Sequence, residues 1–156
     1  VIQDVTRIQY FYGDPTLFFI FQQWMVGMDN PRITAIACPP SAGAVPDGAE
    51  VPGGMLTISE APSGALRLRW QASCSVCDAD YSIYEGILGD FDSHGQSLCS
   101  TNGLLQAQIT PSSGSAYYIV VPNNGVREGS YGRDGDGGER PPALNACLAQ
   151  TFQSCP

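Results

Sequence analysis

In the stretch LRLRW, Leu66, Leu68 and Trp70 alternate with Arg67 and Arg69, which puts three apolar side chains on one face and two cations on the other. A period of two is the pattern of a half-buried β-strand. Short runs of β character recur along the chain: VTRIQYFY (5–12), TLFFIFQQWMV (16–26), RITAIAC (32–38), MLTISEA (55–61), DYSIYEGIL (80–88), LLQAQITP (104–111), AYYIVVP (116–122) and REGSYG (127–132). The series predicts an all-β antiparallel β-sandwich. Leu66, Leu68, Trp70, Ile83, Ile119, Val121 and some tyrosines would line the facing sides of two sheets about 10 Å apart. Between the third and fourth runs, PPSAGAVPDGAEVPGG (39–54) is too rich in Pro and Gly for regular structure and reads as a linker or long loop.

The most apolar run is TLFFIFQQWMVGM, Thr16 to Met28. As a strand it places Leu17, Phe19, Phe21 and Gln23 on one face and Phe18, Ile20, Gln22 and Trp24 on the other, so both faces are apolar. An ordinary edge strand keeps one wet face. The run is broken by Gln22 and Gln23 and stops at Gly27, short of the ~20 apolar residues that a membrane-spanning helix needs. Left open, such a strand would invite aggregation. The expectation is therefore that residues 1 to about 30 form a β-hairpin or extended strand pair that reaches an adjacent subunit by strand addition. Leu17, Phe18, Phe19, Ile20, Phe21 and Trp24 would be the assembly residues. The competing arrangement folds the hairpin back over its own domain.

Composition narrows the partners. The chain has 18 Gly and 12 Pro, as expected of short strands joined by many turns. Its 15 acidic residues face seven basic ones, all of them Arg, for a net charge of −8. An acidic chain without a basic cluster is repelled by nucleic acid and by anionic membranes, so neither nucleic-acid binding nor membrane insertion is expected. Six half-cystines, Cys38, Cys74, Cys77, Cys99, Cys147 and Cys155, point to a disulfide framework and a secreted, extracellular location. The sequence opens at Val1 with no signal-peptide pattern, which is read as an export signal already removed.

The order ALRLRW, DYSIYEG, AYYIVVPNN, REGSYG resembles strands B, C, F and G of a fibronectin type III domain. DYSIYEGILGDFDSHGQSLCST, followed by YYIVVPNNGVREGSYG and GERP, is similar to fibronectin III-like modules of secreted and surface proteins of bacteria. The resemblance covers about residues 54 to 142. It implies an immunoglobulin-like sandwich used as a spacer, adhesive unit or appendage, and it implies little about activity. The expected organisation is an N-terminal hydrophobic β extension (1–35), a fibronectin III-like sandwich (36–142) and a disulfide-anchored C-terminal tail (143–156).

Residues with chemical potential are few. CSVCDAD has the C-x-x-C spacing of a redox or zinc site, but no second close Cys pair follows, and the adjoining acids would raise a thiol pKa. Structural half-cystines are the reading adopted. The favoured pairing is Cys74–Cys99, then Cys38–Cys147, with Cys77–Cys155 left by elimination. RDGDGGE (133–139) offers Asp134, Asp136 and Glu139 as weak calcium candidates in an incomplete ligand set, against a solvated acidic turn. No other cofactor is expected. His94 stands alone in DSHGQ, where exposure is the ordinary outcome, with Asp90 and Asp92 nearby and no nucleophile setting. No catalytic site is expected. The function expected is that of a non-enzymatic structural protein that self-assembles into a surface fibre or filament. A monomeric module for adhesion to carbohydrate or another ligand is the alternative.

Overall fold

The computed structural model describes residues 38–112 and 114–155. The chain divides into two units, Val1–Cys38 and Pro39–Pro156. Only Cys38 of the first unit is among the described residues, so the expected front hairpin with Leu17, Phe18, Phe19, Ile20, Phe21 and Trp24 lies outside them.

The described part of the second unit is all-β. Its strands are β1 (Thr57–Glu60), β2 (Leu66–Arg69), β3 (Asp80–Ile87), β4 (Gly95–Leu98), β5 (Gln106–Ile109) and β6 (Ala116–Asn123). They form two antiparallel three-stranded sheets, ordered β1-β2-β5 and β4-β3-β6. Among the described residues the helical content is one 3-10 turn, Pro62–Gly64.

In the first sheet the alternation read from LRLRW holds. Leu66 lies opposite Ile109 and Leu68 opposite Ala107, while Arg67 and Arg69 lie opposite Gln108 and Gln106 on the wet side. The apolar side meets the second sheet in a core of Leu68, Trp70, Tyr81, Ile83, Ile109 and Val120. Trp70 packs edge-on to Tyr81 with ring centroids 5.6 Å apart.

The second sheet differs from expectation. Ile83 is paired with Val120 and Tyr84 with Ile119, so Tyr118 and Val120 look toward the first sheet. Ile119 and Val121, expected in that core, face the other way. There they join Tyr84, Tyr131, Ala143 and Cys147 in a second core. Sheet β4-β3-β6 is thus covered on both faces, with the chain after β6 supplying the extra layer.

REGSYG, expected as a closing strand, does not form one. Glu128 makes single bridges to Asn123 and Gln150, and Gly129 N–H donates to the Pro122 carbonyl at 2.8 Å. The chain then leaves β6: Ser130 N–H donates to the Gly43 carbonyl at 2.9 Å, and the Tyr131 side chain is drawn into the second core. Gly129 is required there, because a Cβ would collide with the Gly43 carbonyl. Nor is 39–54 a free linker. Ala42 is fully buried, bridges Phe152 in parallel and exchanges hydrogen bonds of 2.9 Å with Thr151 and Gln153.

All six cysteines are disulfide-bonded. Cys74 is joined to Cys155 and Cys99 to Cys147. These bonds overturn the expected Cys74–Cys99, Cys38–Cys147 and Cys77–Cys155. The reason is the course of the tail, which runs beneath β3, where Cys147 N–H donates to Tyr84, and then alongside Ala42, whose neighbour Ala44 accepts from Cys74 N–H. The half-cystines are 81 and 48 residues apart, so in the chain-entropy account each cross-link contributes about 3–5 kcal/mol.

Candidate functional site

Under β3 and β6 the second core holds a polar cluster. Glu128 is fully buried, and its two carboxylate oxygens each accept a hydrogen bond of 2.7 Å, from the Tyr84 and Tyr131 hydroxyls. Tyr84 also accepts from Cys147 N–H at 2.8 Å, so one hydroxyl links strand, carboxylate and tail. Burial is the main cause that pushes the Tyr84 phenol up to about 12, and burial likewise raises Tyr131, with the adjacent Glu128 adding to both. Both rings stay protonated donors at neutral pH. A buried carboxylate without donors would cost several kcal/mol, so the two hydroxyls are what allow Glu128 to lie there.

His94 borders this cluster and is 4% exposed, not the exposed loop residue expected. Its Nε2 lies 2.9 Å from the Pro141 carbonyl, which can only accept, so Nε2 carries the proton. In the neutral ring Nδ1 then accepts from the Tyr117 hydroxyl at 3.1 Å. Both ring nitrogens are held by the fold. The Asp90 and Asp92 side chains are exposed, and the observed partners of the ring are Tyr117 and Pro141.

The calcium candidates do not converge. Asp134 closes its own turn, accepting from Asp136 and Gly138 N–H at 2.9 and 2.8 Å. Glu139 points inward and accepts from Ser130 Oγ, Tyr131 N–H and Gln150 Nε2. Among the described residues no three His, Cys, Asp or Glu side chains gather as a metal-binding group. Near CSVCDAD, Asp78 accepts from Gly43 N–H at 2.9 Å and from Ser73 Oγ at 2.5 Å, which holds the turn against 39–54. Asp80 does similar work at the Asn102-Gly103 turn. Burial opposes its charge, but Ser100 and the N–H groups of Gly103, Tyr81 and Thr101 outweigh that and hold its pKa below the ordinary value.

The feature left open is a groove beside β6, about 530 Å³ in volume. Val45, Val51, Met55, Leu56, Tyr118 and Val120 are among its apolar lining residues, and Arg133, Arg140 and Glu50 among its charged ones. Also in the lining, Phe91 and Tyr117 pack with centroids 5.4 Å apart, and the Arg140 guanidinium lies over the Phe91 ring. The groove exists because the chain abandons β6 after Gly129. REGSYG was the sequence signal nearest to it, and its two glycines are the only hint that pairing there would be brief.

No protein-family model, curated protein or solved structure matches this chain. Among the described residues no helix is long and apolar enough to cross a membrane. The three disulfides fit an extracellular or otherwise oxidising environment.

Proposed function

We propose that this chain is a non-enzymatic, extracellular structural subunit, of the fibronectin III-like kind found on bacterial surfaces, that assembles into a fibre through its front segment. The observation that carries the reading is a mismatch of supply and need. From Pro39 onward the unit fills both faces of sheet β4-β3-β6 with its own residues. TLFFIFQQWMV is nevertheless apolar on both faces, which suits a surface supplied by another subunit.

Strand pairing supports the immunoglobulin-like part of the reading. With β2 as strand B, β3 as C and β6 as F, B lies in one sheet while C and F are neighbours in the other. The disulfides that hold the tail suit a protein that must persist outside the cell.

The test is light scattering and electron microscopy on the purified full chain over a wide concentration range. Concentration-dependent growth into elongated particles is expected. A chain that stays monomeric throughout overturns the proposal. The exposed Phe91 beside Tyr117 and Arg140 favours one second reading, a monomeric module that binds carbohydrate, and a glycan array on the monomer would reveal it.

A further inference from the structure

We infer that the groove along β6 is an acceptor for an added β-strand, and that its occupant is the segment 16–26 of a second copy of this chain. The inference rests on the assembly reading above and names the surface that reading needs.

The backbone of β6 supplies the first argument. Asn123 and Ser115 carbonyls accept from Ala79 and Leu88 on the β3 side. Pro122 carbonyl and Asn124 N–H bond outward, to Gly129 and Arg127. In an antiparallel strand the direction alternates, so the N–H and C=O groups of Tyr118 and Val120 also point outward. Among the described residues nothing pairs with them, because the chain turns off at Ser130 to bond Gly43. An open edge of this kind is a template for another strand. Ala116 to Val121 spans about 20 Å at the usual rise of a strand, and 16–26 is long enough to cover it.

Side chains supply the second argument. A strand added to an ordinary edge sheet needs one apolar face. A strand added to β6 continues a sheet that is covered on both faces, so it needs two. Segment 16–26 has this property and carries no charge. One of its faces would meet Val45, Val51 and Leu56 in the groove, and the other would continue the layer that holds Tyr131. Among the described residues the edge is unpaired, and in this proposal a second chain supplies the donor. Donor and acceptor surfaces differ, so the contact is heterologous and propagates head to tail.

The experiment uses full-length variants. Tyr118→Pro removes an outward N–H at a position equivalent in direction to Pro122, which the strand already tolerates. Met55→Glu places a charge in the groove at a side chain that is 66% exposed, so folding is little affected. Phe19→Asp with Phe21→Asp disables the donor. Assembly is read by sedimentation and light scattering, and folding by circular dichroism. Each variant alone is expected to need at least about tenfold higher concentration to assemble. Mixing an acceptor variant with the donor variant is expected to give a one-to-one heterodimer that grows no further. If Met55→Glu and a folded Tyr118→Pro polymerise like the parent chain, the groove is not the acceptor, although the assembly reading survives. If Tyr118→Pro fails to fold, Met55→Glu alone decides. If the parent chain is monomeric and the donor variant only lowers its melting temperature, the segment serves its own chain and both proposals fall.

Discussion

Replacing Tyr84 by Phe deletes one oxygen and leaves the ring to fill the same space, so it tests hydrogen bonding without opening a large cavity. Two bonds are lost: the one donated to the Glu128 carboxylate at 2.7 Å and the one accepted from Cys147 N–H at 2.8 Å. A hydrogen bond to a charged group is worth about 1.5–3 kcal/mol, and a buried N–H left unpaired costs about 1–3 kcal/mol. The two costs overlap, since Glu128 keeps its bond to Tyr131 and the released groups can share one entering water. The expected loss is about 2–4 kcal/mol. It should appear as a lower midpoint in guanidinium unfolding at pH 7 without reductant, with the slope unchanged. Tyr118→Phe is the matched control. Its hydroxyl lies beside Glu85, a carboxylate that Ser112 also binds, and takes no part in the Glu128 cluster, so its removal should change the stability of the monomer by less than about 1 kcal/mol. If the two substitutions have equal effects, or if Tyr84→Phe costs under about 1 kcal/mol, the buried carboxylate is not what binds tail to sheet.

Alkali should act on the same cluster. Tyr84 is fully buried and its folded pKa is raised from 10.0 to about 12, so its contribution is fully present below pH 10 and is lost as pH rises toward 12. That loss is about 3 kcal/mol for Tyr84, and the raised Tyr131 adds in the same direction; melting curves between pH 8 and 12 should fall steeply above 10, and a flat profile would contradict the assignment. Gly86→Ala should destabilise, by about 1–3 kcal/mol in chemical unfolding, although Gly to Ala in a strand is usually favourable. A Cβ there runs into the Tyr117 ring, which cannot move without disturbing Phe91 and His94; a more stable variant would refute that packing. A calcium chelator should leave the melting temperature within about 1 °C, because Asp134 and Glu139 are already held by hydrogen bonds within the fold. A larger drop that calcium reverses would restore the metal reading.

Strand character was written locally. LRLRW, DYSIYEG and AYYIVVP became β2, β3 and β6 because β-branched and aromatic residues with a period of two favour a pleated, half-buried chain whatever lies beyond it. The even count of cysteines likewise announced that all six would be bonded. Matters that depend on which distant surfaces meet were not legible in this way. Ile119, Val120 and Val121 are all apolar, and only the register against β3 decides that Val120 faces the first core and its neighbours the second. A shift of one residue would have reversed them. Segment 128–147 has no period to betray a layer, yet burying it over Tyr84 draws in Glu128 and Tyr131 and covers His94. That layer also brings Cys147 to Cys99, and the tail beyond it brings Cys155 to Cys74. Local pattern determines how a segment pleats and which side chains seek cover. The partner that provides the cover is chosen by the free energy of the whole packed chain, to which residues far apart in sequence contribute together.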